Sequence, residues 1–175
     1  MRVQWADKRK IPGQNMTVEQ FRKIVNYFRY IHFCGQISDP IFNPNLITFL
    51  SMCKDANKGS TMHTAASQRP ISWYKEAFDT NPDTRWIFGL DGLPEESCMY
   101  RVNQDGEKLF EAMKMGAKKG LQIDWQYIVF SYNEDHVEEA YNMAKDNGIQ
   151  FIVNYSGRWT SEQDPYKPRN PKFST

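Results

Sequence analysis

Residues 31–50, IHFCGQISDPIFNPNLITFL, pass from a short apolar run through a turn with Gly and Pro into a segment of helical periodicity. Residues 30–34 are typical of a strand buried in a parallel sheet. Asn43 and Pro44 predict the start of a helix. Its apolar face would carry Leu46, Phe49, Leu50 and Cys53. This order of strand, turn and helix indicates an α/β fold.

The same alternation extends to both sides of this stretch. Thr17 and Gln20 form a capping box that predicts a helix before residue 30. Further strands are predicted at 61–64, 85–90, 122–130 and 149–155, with helical segments between them. Strands separated by helices pair in parallel through right-handed crossovers. Periodicity leaves two architectures open, a whole or partial β/α barrel and an open doubly wound sheet, and in both the functional loops follow the strands.

Composition places the chain among ordinary soluble domains. It has 175 residues, of which 25% are charged, and a formal net charge of +1. This charge does not favour nucleic acid or a membrane surface as partner. The N-terminus shows no apolar stretch of signal-peptide type, and no apolar run approaches the ~20 residues that span a bilayer. We therefore expect a cytoplasmic protein.

Cysteine and histidine residues do not form a metal motif in this sequence. Cys34, Cys53 and Cys98 are widely spaced, and the histidines fall on separate predicted elements. We expect each cysteine to be a small buried apolar residue, and we predict no metal site.

Two loops and one strand carry the candidate binding residues. In the loop after the first strand, Gly35 permits close approach of a ligand and Pro40 fixes the turn; a plain tight βα turn is the alternative. Asp91 and Arg101 could hold a zwitterionic ligand, with Arg101 as a fork for a carboxylate; the alternative is a loop-capping Asp and a surface ion pair. Gln126, in an apolar strand, needs a neighbour or a ligand as its partner.

Four segments, in combination and order, resemble the radical S-adenosylmethionine (SAM) superfamily, above all its peptide-modifying and sulfatase-maturing branch. They are the stretch 31–50, TMHTAAS (61–67), FGLDGLPEESCMYRV (88–102) and WQYIVFSYNEDHVEEAYNMAKDNGI (125–149). The likeness covers residues 17–155. It implies a partial, TIM-like (β/α) barrel of about five parallel strands in which the first family strand is missing.

The resemblance also implies where SAM would bind. The segment 35–40 looks like the family's GGEP-type loop, which binds the amino group of the SAM methionine; Asp39 stands where Glu is common, and the loop is longer by Ile37 and Ser38. Arg101 would contact the SAM carboxylate, while Gly89 replaces a Ser that often contacts SAM. The full set of expected SAM-binding residues is Gly35, Gln36, Ser38, Asp39, Pro40, Thr64, Asp91, Arg101, Gln126 and Asn133.

The departure from the family is the CxxxCxxC loop that holds the iron–sulfur cluster. By the resemblance Met1 falls just past that loop, so a 4Fe–4S cluster is expected only if an upstream segment supplies the cysteines. We expect residues 1–16 to be a linker remnant, 17–155 a partial radical SAM barrel, and 156–175 a Pro-rich polar tail, of which residues 164–175 would be extended or disordered.

Three functions remain open from the sequence. The first is the SAM-binding part of an enzyme that abstracts hydrogen from a peptide or small substrate, inactive alone and completed by an N-terminal cluster-bearing segment on the exposed edge strand. The second is a degenerate barrel without a cluster, acting as a binding or accessory module, which could self-associate through that edge. The third is an open-sheet α/β binding protein whose likeness to the family is fortuitous.

Overall fold

A single parallel sheet organises the computed structural model, which describes residues 13–35 and 38–173. The strands are β1 (Tyr30–Phe33), β2 (Gly59–Thr64), β3 (Arg85–Gly89), β4 (Ile123–Ile128) and β5 (Gln150–Asn154). The helices are α1 (Val18–Tyr27), α2 (Leu46–Asp55), α3 (Ile71–Thr80), α4 (Gly106–Lys118) and α5 (Val137–Asp146). Short 3-10 turns lie at Pro40–Phe42, Ser97–Met99 and Glu134–His136.

The strands lie side by side in the order in which they occur in the chain. All four neighbouring pairs are parallel, from β1 with β2 to β4 with β5. A doubly wound sheet reverses its strand order at a switch point, whereas this order runs in one direction, as in a barrel. The prediction of an α/β fold with five parallel strands is therefore confirmed, and the sheet corresponds to part of a β/α barrel.

The two faces of the sheet differ in polarity. The helix-covered face buries large apolar side chains, and the rings of Trp86 and Phe88 pack against Tyr74 of α3. The opposite face carries polar groups, among them the ion pair between Arg85 and Asp124. A parallel sheet in a barrel presents this second face to the interior. The polar face is consequently the side on which a ligand can lie.

The first helix begins as the sequence predicts. The Thr17 hydroxyl accepts a hydrogen bond from the Gln20 amide at 3.2 Å, and the Gln20 side chain accepts one from the Thr17 amide at 2.9 Å. The predicted capping box is confirmed. The second helix begins at Leu46 rather than Asn43, because the Asn43 side chain accepts from the Asn45 amide at 2.9 Å and holds the preceding turn.

The segment after β5 differs from the extended or disordered end that we expected. The Tyr166 carbonyl accepts a hydrogen bond from the Ser131 amide at 3.1 Å, and Phe173 is only 6% exposed. Glu134 accepts hydrogen bonds from two backbone amides of the same segment, both at 2.9 Å. Aromatic rings spaced along a Pro-rich sequence thus fold residues 156–173 back onto the end of β4. Among the described residues, no helix is both long enough and apolar enough to cross a bilayer.

Candidate functional site

Asp39 ties the loop after β1 to the end of β2. One carboxylate oxygen accepts from the Thr64 hydroxyl at 2.9 Å and the Ile41 amide at 3.2 Å. The other accepts from the amides of Ala65 at 2.9 Å and Ala66 at 3.2 Å. Two bonds to each oxygen leave little acceptor capacity for a ligand. Asp39 therefore positions the loop that carries it.

Gly35 is required by the tight path of this same loop. A Cβ built on Gly35 would lie 1.7 Å from the Ser38 carbonyl oxygen. No side chain can occupy that space, so a larger residue would force the turn open. The turn exposes Gly35 and Ser38 next to the end of β2. Gln36, which we also expected to bind SAM, lies outside the described residues.

Asp91 and Arg101 form a buried ion pair beyond the end of β3. The Arg101 Nε donates to one Asp91 oxygen at 2.7 Å, and the Ile128 amide donates to the other at 3.0 Å. Asp91 is fully buried, and burial raises the pKa of its carboxyl against the lowering effects of Arg101 and Ile128. Since only Nε of Arg101 is committed to Asp91, the outer guanidinium nitrogens can still meet a ligand.

Gly89 makes room for the Arg101 guanidinium. A Cβ on Gly89 would lie 3.1 Å from Arg101 Nη2 and 3.3 Å from the Ala65 side chain. Both distances are tighter than ordinary packing, so any side chain here would push the guanidinium away. The lack of a side chain at Gly89 is thus coupled to the position that Arg101 takes.

Gln104 links the C-terminal ends of β2 and β3. Its side-chain amide donates to the carbonyls of Ala65 at 2.6 Å and Gly89 at 2.9 Å. The residue is 6% exposed. Sequence reasoning did not single out Gln104, because its partners are backbone groups that only the folded sheet brings together.

An open cleft of about 470 Å³ lies over the ends of β1 to β5 on the polar face of the sheet. Six of the expected SAM-binding residues line it together. They are Gly35, Ser38, Asp39, Thr64, Arg101 and Gln126. His63 and Arg158 line the cleft as well, although no sequence pattern selects them.

Three other expected residues lie away from this cleft. Asp91 is enclosed beneath Arg101, and Pro40 lines a neighbouring apolar groove next to β1. Asn133 is buried in the turn after β4, where its side chain accepts from the Phe130 amide at 2.7 Å and donates to the Ile128 carbonyl at 3.1 Å. Although Asn133 directly precedes the 3-10 turn at Glu134–His136, its side chain makes no capping bond there. The SAM contacts assigned to all these residues stay predictions.

His63 is the titratable group of the cleft whose pKa departs from its ordinary value. Burial lowers the pKa of His63, and the nearby His32 and Arg85 lower it further, while Asp124 acts in the opposite direction. The ring is therefore neutral at pH 7. It adds a hydrogen-bonding group to the cleft without adding a charge.

The cysteines do not fit an iron–sulfur cluster. Cys34 follows β1, Cys53 belongs to α2 and Cys98 lies in the turn after β3, so the three thiols are on separate elements. Within the described ranges, no group of three His, Cys, Asp or Glu side chains could hold a metal ion. Burial raises the pKa of the Cys53 thiol to about 11, which disfavours a ligating thiolate. Cys34 and Cys98 are exposed, so the expectation that all three are buried is wrong for these two.

Comparisons of structure identify the class of fold. No family model matches the sequence, and no curated protein matches it. SuiB of Streptococcus suis bound to S-adenosylmethionine superimposes with a TM-score of 0.64 at 14% identity, over 81% of this chain and 32% of SuiB. anSMEcpe with bound AdoMet and the Kp18Cys peptide superimposes with a TM-score of 0.60 at 16% identity, over 91% of this chain and 47% of anSMEcpe.

Both of these proteins are radical SAM enzymes, so the fold expected from the sequence resemblance is confirmed. The chain spans about a third of the length of SuiB and less than half that of anSMEcpe. The protein therefore has the fold of a radical SAM barrel over part of the length of these enzymes.

Proposed function

We propose that this chain is a SAM-binding module of the radical SAM type, which takes part in hydrogen abstraction from a peptide or small substrate when another segment carries the cluster. The observation that carries the proposal is the single cleft that gathers Gly35, Asp39, Thr64, Arg101 and Gln126 at the ends of the strands. These residues come from four different strand–loop units, so their convergence depends on the fold.

Arg101 supplies the strongest contact that we propose for SAM. Its Nε is held by Asp91 at 2.7 Å, which fixes the plane of the guanidinium over Gly89. The outer nitrogens then offer two N–H groups to the SAM carboxylate, a geometry that lysine cannot reproduce. The exposed loop at Gly35 and Ser38 would offer backbone groups to the SAM ammonium.

The iron–sulfur cluster would have to come from a segment with its own cysteines. In radical SAM enzymes a bound cluster supplies the electron that cleaves SAM. We propose that such a segment adds a strand to β1, which pairs with β2 and has no second strand beside it in the described structure. An apolar groove of about 270 Å³, lined by Phe21, Ile31 and Phe33 among others, lies along this strand and could receive the segment's side chains.

The alternative is a cluster-less module that binds a ligand without turning it over. The scattered thiols favour it, because they cannot provide three ligands to one cluster. The two candidate functions differ in whether the protein holds iron. Iron and a cluster absorbance after anaerobic purification and reconstitution would support the enzyme, and iron-free protein that still binds SAM would support the binding module.

Calorimetric titration with SAM tests the shared part of the proposal. Wild-type protein is expected to bind SAM, Arg101→Gln at least tenfold more weakly, and Arg101→Lys with an intermediate loss because the fork is missing. Arg22→Gln, on the exposed side of α1, is the matched control and is expected to bind as wild type. Wild-type protein that releases no heat with SAM, or an Arg101→Gln variant of unchanged affinity, would refute SAM binding at this cleft.

A further inference from the structure

Arg158 is a second, exposed arginine that lines the cleft, and it stands apart from the SAM contacts proposed above. It follows β5 and lines the same cavity as Asp39 and Gln126. Its backbone amide donates to the Ser156 hydroxyl at 3.3 Å, but its guanidinium forms no ion pair within residues 13–35 and 38–173. A cation that faces a cavity without a carboxylate partner attracts an anionic ligand.

The other charged groups of the cleft already have an ion-pair or hydrogen-bond partner. Arg101 is paired with the buried Asp91, and Asp39 accepts four hydrogen bonds from the loop and the end of β2. His63 is neutral at pH 7, since burial lowers its pKa. Among the described lining residues, Arg158 is thus the cation that forms no ion pair, while both oxygens of the Asp39 carboxylate in the same cleft are already occupied by hydrogen bonds.

Gln126 lines the same cleft as this cation and has a free side chain. It is in register with Gly89 on one side and Ile152 on the other, on the polar face of the sheet. In the described structure its side-chain amide has no hydrogen-bond partner, although it lines the cleft. An amide can pair with the donor and acceptor of a peptide group, so it complements a ligand whose carboxylate is held by Arg158.

We propose that Arg158 and Gln126 form a substrate subsite for a carboxylate next to an amide, as in an acidic residue of a peptide. This inference rests on the proposed function, because it takes Arg101 to be occupied by SAM, and it assigns the Gln126 side chain to the substrate rather than to SAM. One guanidinium fork matches one carboxylate. Phosphate sites usually combine several donors, such as the N–H groups of a helix start or a Gly-rich loop. A single guanidinium therefore favours a carboxylate over a phosphate as the ligand.

The test uses the α-amides of N-acetylglutamate and N-acetylglutamine, which have the same shape and of which only the first carries a carboxylate. Protein labelled with nitrogen-15 and saturated with SAM is titrated with each, and the signals of the Arg158 Nε–H and the neighbouring Trp159 indole are followed by NMR. We expect a saturable shift with the α-amide of N-acetylglutamate and none with the α-amide of N-acetylglutamine. Arg158→Gln should weaken the response at least tenfold, Arg158→Lys should retain part of it, and Arg22→Gln should leave it unchanged.

Several outcomes would overturn the subsite. These are an equal response to both compounds, an unchanged titration of Arg158→Gln, and inorganic phosphate that saturates the same signals at lower concentration. Calorimetry with SAM on the same samples separates this inference from the proposed function. Arg158→Gln is expected to keep its SAM affinity, and SAM binding without a carboxylate response would end only the subsite. A wild-type protein that does not bind SAM would end the proposed function, whatever the carboxylate titration shows.

Discussion

Asp39 and Asp91 lie in the loops that follow β1 and β3, at the C-terminal ends of the strands. The two carboxylates accept hydrogen bonds from different kinds of donor. Asp39 is half-buried and bound by a hydroxyl and three backbone amides. Asp91 is fully buried and bound by a guanidinium and one backbone amide. The first carboxylate fixes the path of a loop, while the second fixes the orientation of a cation. One rim of the cleft is therefore built by backbone geometry and the other by charge.

The largest effect is expected from removing the buried carboxylate. Asp91→Ala leaves Arg101 without its counter-ion and the Ile128 amide without its acceptor. Loss of one partner of a fully buried ion pair costs about 3–5 kcal/mol of unfolding free energy, and we expect the lower end, about 3 kcal/mol, because the Arg101 side chain is 29% exposed. Urea denaturation followed by circular dichroism measures this loss, and SAM affinity should fall at least tenfold because Arg101 is no longer held.

Two variants control this first prediction. Asp91→Asn keeps an acceptor for the Ile128 amide and should lose less stability than Asp91→Ala. Asp135 is exposed, so Asp135→Ala should change stability by less than about 0.5 kcal/mol. If Asp91→Ala and Asp135→Ala unfolded at the same urea concentration, the ion pair would not be what organises this rim.

A smaller effect is expected at the other rim. Asp39→Ala removes the acceptor of four hydrogen bonds, but water can reach the loop and replace part of them. We expect a loss of about 1–3 kcal/mol in the unfolding free energy. Hydrogen exchange should speed up at the amides of Ala65 and Ala66. Asp83→Ala, at an exposed turn, is the control, and unchanged exchange at residues 65 and 66 would show that Asp39 does not hold β2.

The third prediction concerns the space above β3. Gly89→Ala places a methyl group 3.1 Å from Arg101 Nη2, and the flexible guanidinium can move away at a cost of about 1 kcal/mol. SAM affinity should therefore fall more than stability does. Gly157→Ala is the matched control, because a Cβ there meets nothing within 4 Å. An equal SAM affinity for both alanine variants would mean that Arg101 does not depend on Gly89.

The smallest effect is a dependence of stability on pH from His63. Its pKa in the folded chain lies below its ordinary value of 6.5, so the unfolded chain takes up the proton first as the pH falls. The unfolding free energy should therefore decrease as the pH falls below about 6.5 and stay level above it. His63→Gln should reduce this slope.

An NMR titration gives a sharper measurement at the same site. His32→Gln should raise the pKa of His63, because His32 is one of the groups that lower it. A pKa of His63 at or above 6.5 in wild-type protein would contradict the prediction. It would also add a charge to the cleft at neutral pH and weaken the distinction between its two rims.

Local sequence determined the elements of this fold. The capping box at Thr17, the apolar face from Leu46 to Cys53 and the alternation of strands and helices each arise from contacts within a few residues. Those patterns were enough for an α/β fold with five parallel strands. The resemblance of the segments 31–50 and 88–102 also pointed to the edge at which six site residues meet.

Only the tertiary structure decided which of the expected residues face the cleft. Asp91 and Asn133 are polar residues in loops, and nothing near them in sequence shows that a guanidinium covers one and a turn encloses the other. No sequence pattern singles out Arg158 or Gln104, because their neighbours in space lie tens of residues away along the chain. Burial and hydrogen bonds between distant segments arise only when the sheet has formed. The sequence therefore determines which residues could bind a ligand, and the folded sheet determines which of them reach the cleft.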